Sequence, residues 1–437
     1  MKKLMILAAA AAVVLASCAK NEVFQNTQDE NAVSFSVYVP QTTRASYGTQ
    51  TTATLKTDGF GVFAYYTDAA SYGSSAIPNF MYNTKVTYAD SKWTYSPLKY
   101  WPNNHGGAAA SSDVDKVSFF AYAPHMAVTP STGVPTTYYP APVNQDDPKQ
   151  GITAVSANGA TGDPLVSFTV PSKGSEQIDL LWGVAKESNT GDLVEGTDPV
   201  VAGMPFVNMT KQKTGGSIKY LFKHALAKLD FKVQAIVDDP TANTNAVDAN
   251  TKIFVRKVEV TGKFNTSGDL NLNNTTANVP LWENTTASLG TSPIYVFNDG
   301  LANSDDKTAD SDESIDIAAA FINGAGVTNE AQGLLADNRQ FMIVPTDLSS
   351  EGFKVTVTYD VETKDPDVST PLTDGTTNGI KVKNVITTAE AAKVNFEAGK
   401  IYTILLKLGM TSVKMEAEVD PWGDATETPV DLPKNVD

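Results

Sequence analysis

The sequence predicts an all-β protein built from antiparallel sandwiches, and three observations carry that expectation. Short runs of alternating apolar and polar residues recur down the chain, as in Lys116 to Tyr122, Leu229 to Val237, Ile253 to Val260, Lys354 to Tyr359, Ile401 to Leu408 and Val413 to Val419. Successive strand residues point to opposite faces, so each run presents one apolar face to a core. The runs are rich in β-branched and aromatic residues, and clusters of Gly, Pro, Asn, Asp, Ser and Thr bound them, which is the pattern of sandwiches and not of βαβ units. No long stretch carries helical periodicity; only Ile317 to Ile322 and Thr387 to Lys393 suggest short helices.

The chain has 437 residues and a formal net charge of −16, from 33 basic and 49 acidic groups. That length suits two or three domains, each able to bury its own core. A Gly215-Gly216 pair precedes a fresh series of strands and marks the expected division. Four segments follow: a signal peptide over 1–17, a detachable stretch over 18–44, and domains over 45–215 and 216–437, the second ending in a short tail. The polar stretches Pro130 to Gly162, Lys186 to Pro199 and Pro240 to Asn250 read as long surface loops. The acidic balance argues against nucleic acid as a partner, because a binding face needs a basic excess.

At the N-terminus, Lys2 and Lys3 precede an apolar run from Leu4 to Ala16. The run is too short to cross a hydrocarbon layer of roughly 30 Å at about 1.5 Å per residue, so it reads as an export signal. The single cysteine, Cys18, excludes an intrachain disulfide and a thiolate zinc site. Leu15-Ala16-Ser17-Cys18 resembles the bacterial lipobox, which implies cleavage before Cys18 and acylation there, with palmitate-type chains holding the precursor on the outer membrane.

Within Ala32 to Val39, Val33, Phe35, Val37 and Val39 fall on one face of a strand. Pro40 ends it, and Gln41 to Ser46 follows as a polar tether holding Arg44. The other two arginines, Arg256 and Arg339, lie in or beside expected strands. A protease specific for arginine is therefore expected to find one accessible site.

Several phrases together resemble the fimbrillin family of pilus subunits. They are the lipobox at Cys18, the strand followed by Thr43-Arg44-Ala45, Lys99 to Pro102 leading to Val117 to Pro124, Gln177 to Trp182, Phe222 to Leu229, Phe341 to Pro345 and Phe396 to Tyr402. The resemblance runs over nearly the whole chain. It implies two transthyretin-like sandwich domains and export as a lipoprotein. It also implies a surface protease that cuts after Arg44, so that Ala45 becomes the mature start and Val33, Phe35, Val37 and Val39 leave with the first strand. A strand from another fimbrial subunit, in a homo- or heteropolymer, would then satisfy the exposed backbone groups and apolar slot. The precursor would sit on the outer membrane and the product in a surface fimbrium.

The donor is expected near the C-terminus. Val413, Met415, Ala417 and Val419 alternate as a strand should, and Val430 and Leu432 are the apolar pegs of the tail. The tail is short, and Pro429 and Pro433 lack backbone donors, so a stalk subunit and a tip or accessory subunit both fit.

Catalytic, metal and cofactor sites are expected to be absent. His105, His125 and His224 form no HExxH pair, His224 reads as a structural histidine, and no GxSxG elbow, P-loop or dinucleotide fingerprint occurs. The acidic run from Asp305 to Glu313 places Ile315 where a calcium loop needs Gly, and reads as a solvated loop. The pair Asp347 and Glu351 carries no information on spatial separation. Tyr65-Tyr66, Trp93, Tyr95, Tyr100-Trp101 and Tyr138-Tyr139 read as sandwich core; exposed, they would instead suit a surface lipoprotein that stays acylated and binds a host glycan or protein.

Overall fold

The computed structural model describes residues 32–39, 49–73, 76–102, 115–127, 141–142, 151–157, 163–171, 177–188, 200–209, 217–235, 251–287, 294–298, 327–328, 330–335, 341–365, 367–368, 379–390, 393–409, 413–421 and 430–431. In chain order the first elements are β1 (Phe35–Tyr38), α1 (Thr52–Asp58), β2 (Phe60–Asp68), β3 (Met81–Ala89), β4 (Lys92–Thr94), β5 (Lys116–Ala123) and β6 (Ala141–Pro142). Next come β7 (Ile152–Ala157), β8 (Pro164–Thr169), β9 (Leu181–Ala185), β10 (Phe206–Met209), β11 (Ile218–His224) and β12 (Ala227–Ala235). They are followed by β13 (Thr251–Thr261), β14 (Asn265–Asn271), β15 (Leu281–Ala287), β16 (Ile294–Asn298), β17 (Gln332–Gly333), β18 (Phe341–Ile343) and β19 (Thr346–Asp347). The last are β20 (Lys354–Lys364), β21 (Gly379–Glu390), β22 (Asn395–Phe396), β23 (Lys400–Leu408), β24 (Val413–Pro421) and β25 (Val430–Asp431). Among the described residues, every alternating run named from the sequence lies on a strand, with Ile236 and Val237 outside them, and the architecture is all-β apart from α1.

An eight-stranded sheet has the order β1-β11-β9-β5-β2-β3-β4, with β10 added on β5. A six-stranded sheet runs β17-β12-β23-β24-β25 with β18 on β12, and a four-stranded sheet runs β16-β13-β20-β21. A five-stranded sheet runs β15-β14-β8-β7-β6. Most ladders are antiparallel, but β1 runs parallel to β11 and β12 parallel to β23. A parallel neighbour cannot be reached by a tight hairpin, so both pairings join distant parts of the chain.

Three buried clusters form the interior. One gathers β12, β13, β20 and β23 around Phe231, Val255, Tyr359 and Leu406, and another gathers Phe35, Phe60, Phe119, Tyr220 and Phe222. The third joins Phe63, Phe120 and Trp182 to Leu270, Met342 and Ile401, so it is shared between the two halves of the chain. β5 is covered on both faces, with Phe119 and Phe120 in different clusters. That explains its nearly continuous apolar sequence.

The expected division at Gly215-Gly216 lies outside the described residues. β11 still belongs to the eight-stranded sheet and β12 opens the six-stranded one, so the chain changes sheet at Ala225 and Leu226. β14 pairs with β8, and strands from both sides of residue 215 share the five-stranded sheet. The crossing carries no Gly or Pro signal because both of its residues are buried, with Ala225 N–H donating to Leu180 C=O at 2.8 Å.

Three local expectations change. Thr387 to Glu390 continues β21 and pairs with β20, because its β-branched residues meet Thr356 and Val357 across the ladder. The stretch Pro130 to Gly162 contains β6 and β7, with Ile152 and Val155 buried. Among the described residues the helix is α1, capped by a reciprocal Thr51–Thr54 box and closed by Gly59 at φ 73°, and the expected helix from Ile317 to Ile322 lies outside those residues.

Candidate functional site

β1 lies at one end of the eight-stranded sheet and hydrogen-bonds along one side to β11, from Phe35↔Ile218 to Tyr38↔Leu221. Its other flank meets the residues after β4. Val33 N–H donates to Lys99 C=O at 2.9 Å, the Tyr95 hydroxyl donates to Val33 C=O at 2.8 Å, and Ala32 bridges Tyr100. β1 therefore fills a slot between the two ends of the sheet.

The apolar face read from the sequence is a buried one, although Ser34 on the opposite face is buried as well. Val33, Phe35 and Val39 are 1%, 5% and 0% exposed, Val37 packs partly buried on the same cluster, and Tyr38 is 46% exposed. The Phe35 ring stacks on Tyr220 at 6.0 Å and 19°, and also meets Tyr95 at 5.5 Å, Phe60 at 6.1 Å and Phe119 at 6.3 Å. Burying a side chain of this kind contributes roughly 1.5–3 kcal/mol, so the plug residues and not the short ladder dominate the hold on β1.

The slot wall has its own requirements. Tyr220 lies across Gly183 of β9, where a Cβ would come within 2.9 Å of the tyrosine ring and 3.0 Å of Ala121. Burial holds the Tyr220 hydroxyl well above the usual phenol range, and it has no hydrogen-bond partner among the described residues. Tyr95 is pushed up to about 12, by burial first, with the Lys99 backbone contact opposing.

Beside the slot lies a polar cluster that the sequence reading did not assemble. Asp179 Oδ2 is 2.7 Å from His224 Nδ1 and accepts from Gln50 N–H at 3.0 Å, while Lys228 Nζ donates to Thr49 Oγ1. Burial lowers Lys228 to about 8, with Asp179 opposing. The signal was present in the phrases Gln177 to Trp182 and Phe222 to Leu229: an acid, an imidazole and an ammonium embedded in apolar strand sequence need partners once buried. Gln177 links the halves as well, since its Oε1 accepts from Met342 N–H at 2.6 Å.

Of the expected donor residues, Val413, Met415, Ala417 and Val419 all lie in β24, which pairs with β23 at nine positions. Met415 and Val419 pack partly buried on the cluster around Phe231. Val430 lies in β25, which pairs with β24 at two positions. Cys18, Arg44, Ala45, Leu432, Arg339, His105, Tyr138, Tyr139 and the acidic run at 305–313 lie outside the described residues. Arg256 sits in β13, its side chain 11% exposed, with Nη2 2.9 Å and Nε 3.0 Å from Asp360 Oδ2.

The aromatic residues are largely interior: Tyr65, Trp93, Tyr95 and Trp101 are buried, whereas Tyr100 is 48% exposed. His125 is buried, its Nε2 3.3 Å from Asn83 C=O. Asp347 accepts from Ser349, which holds its carboxyl below the usual range, and Glu351 pairs with Lys263 at 2.8 Å. Asp347 is thereby held ionised, not prepared to donate a proton at neutral pH. Asp347 and Glu397 also border an open hollow of about 230 Å³ lined by Trp282, Pro345 and Phe396.

Comparison with known proteins matches this architecture. A fimbrillin-like family model aligns with residues 43–422. The fimbrium subunit Fim1C of Phocaeicola vulgatus is 27% identical over 440 residues, covering 97% of each chain. The crystal structure of a fimbrial protein from Bacteroides vulgatus superposes with a TM-score of 0.57 at 22% identity, over 90% of this chain and 99% of that one. The family model begins after β1 and spans the walls of the slot and the polar cluster, and the chain belongs to the fimbrillin-like family of fimbrial subunits.

Proposed function

We propose that the protein is a structural subunit of a surface fimbrium that joins its neighbours by strand exchange. In this reading the precursor is acylated at Cys18 and anchored in the outer membrane, and an arginine-specific protease cuts after Arg44. Two sandwich domains in tandem form the mature subunit, beginning at Ala45. The observation that supports it best is β1: an edge strand held by four ladder positions in an aromatic slot. Its departure would leave the edge of β11 unpaired and remove the Val33 N–H from the Lys99 carbonyl, and a donated strand with alternating apolar residues would restore both. β24, with Val413, Met415, Ala417 and Val419, is paired along nine positions, which favours the tail that carries Val430 and Leu432 as the donor. Without a donated tail, the same slot suits a tip or accessory subunit, which only accepts a strand. The buried ion pair and ladder at Arg256 shield it, which favours cleavage elsewhere.

N-terminal sequencing and intact mass of protein sheared from producing cells test this. A start at Ala45 in polymers supports it. An acylated Cys18 on a chain that is never cut would overturn it, in favour of a retained surface lipoprotein that binds a host glycan or protein. Arg44→Ala should leave folded, unpolymerised precursor in the membrane.

A further inference from the structure

Residues 49 and 50 follow the first strand closely, yet they are held by a different chemistry. β1 rests on apolar rings and an edge ladder, contacts that another strand of the same pattern reproduces. Thr49 and Gln50 rest on ionisable groups. Asp179 Oδ2 accepts from Gln50 N–H at 3.0 Å and lies 2.7 Å from His224 Nδ1, and Lys228 Nζ donates to Thr49 Oγ1. These groups come from the residue pair before β9, the end of β11 and the start of β12, so three strands converge on one short piece of chain. All five residues are buried, between 0% and 6% exposed.

The contact continues into α1. Gln50 Nε2 donates to Asp58 Oδ2 at 3.0 Å, and its Oε1 accepts from Thr54 Oγ1 at 3.1 Å. Thr51 caps the same helix. Removing a partner from a buried charged network leaves the remaining charge unsatisfied, so such an anchor does not exchange as an apolar strand does.

We infer that Asp179, His224 and Lys228 form an internal clasp on Thr49 and Gln50, which keeps the new chain end on the body of the subunit while the preceding strand departs. The inference rests on the proposed cut after Arg44, which leaves Ala45-Ser46-Tyr47-Gly48 ahead of the clasp. It also gives His224 a positioning role. His224 ends β11, the strand that borders the slot, so the clasp holds that border in place for an incoming strand.

Hydrogen exchange read by mass spectrometry on segments 33–39 and 49–58 tests the clasp, in wild type and in the Asp179→Asn and Thr49→Val variants of the full chain. In uncut protein each variant should exchange at least roughly tenfold faster over 49–58, the scale of one charge-assisted hydrogen bond, with segment 33–39 unchanged. Thr49→Val is the milder change and serves if Asp179→Asn does not fold. After treatment with an arginine-specific protease, wild type should lose segment 33–39 and keep its protection over 49–58. Wild-type protection over 49–58 in both variants, or its loss together with the strand in cut wild type, would overturn the clasp. Absence of a cut at Arg44 would instead count against the proposed function, and the uncut variants would still decide the clasp.

Discussion

β1 and β24 carry the same alternating pattern, and the fold uses them differently. β1 makes four parallel pairings with a single neighbour, whereas β24 makes nine antiparallel pairings with β23 and carries β25 on its outer side. The side chains reverse the ranking: Val33, Phe35 and Val39 are almost completely buried, but Met415 and Val419 only partly so. One strand is held chiefly by its plug, the other chiefly by its backbone. A plug is replaceable by any strand of matching pattern, while releasing β24 means breaking a long ladder and exposing the edge of β23. Alternation therefore marks both strands and distinguishes neither.

The contrast is most exposed to truncation. A chain ending at Gly409 should lose cooperative unfolding, because β23 keeps β12 on one side but loses all nine pairings with β24 on the other, whereas a chain beginning at Ala45 should still unfold as a cooperative unit at a lower temperature. Thermal melts followed by circular dichroism read both, and equal damage would break the comparison. Next in size, Phe35→Ala should cost the uncut chain about 3–5 kcal/mol, as for other buried aromatics, against about 1–2 kcal/mol for the half-buried Met415→Ala. Denaturant unfolding gives the two values, and similar costs would mean that β1 is not held by its plug.

The polar cluster that separates the two anchoring chemistries makes a pH prediction. Lys228 is lowered from 10.5 to about 8, so between these values the unfolded chain binds more protons and stability rises with pH. At about 1.4 kcal/mol per unit, the gain is at most ~3 kcal/mol. Above pH 10 the buried tyrosines oppose it: Tyr95 and Tyr402 are pushed up to about 12 by burial, so the unfolded chain loses those protons first and stability falls. Unfolding midpoints should therefore rise from pH 8 towards 10 and then decline, and Lys228→Met should remove the rise. A rise that persists in Lys228→Met would assign it to other groups. The smallest effect is expected at Val430→Lys, within about 0.5 kcal/mol for the isolated subunit, since β25 pairs at only two positions. The same variant should stop polymer growth if the tail is the donated strand, and normal polymers would remove the tail from that role.

Much of the fold was legible because alternation is local. Among the described residues the six runs named from the sequence are strands, and the apolar side of the first strand was readable, while the burial of Ser34 was not. The failures were local propensities overridden by distant partners. Thr387 and Thr388 suggested a helix until β20 offered them a ladder. The expected division at Gly215-Gly216 lies outside the described residues, and the change of sheet at Ala225 and Leu226 had no local signal because both are buried without turn chemistry. His224 was legible as a satisfied structural histidine, but its partner Asp179 was not, because 45 residues separate them along the chain.

By itself the sequence determined the β class and the apolar face of the first strand, since each depends on neighbours within a few residues. Only the tertiary structure decided that β1 lies parallel to β11 in an aromatic slot, that β24 is locked into a sheet, and that Asp179, His224 and Lys228 converge on Thr49 and Gln50. Those facts are pairings between distant segments. Which distant strand a run meets is set by the packing of the whole chain, and the pattern of the run carries no record of it.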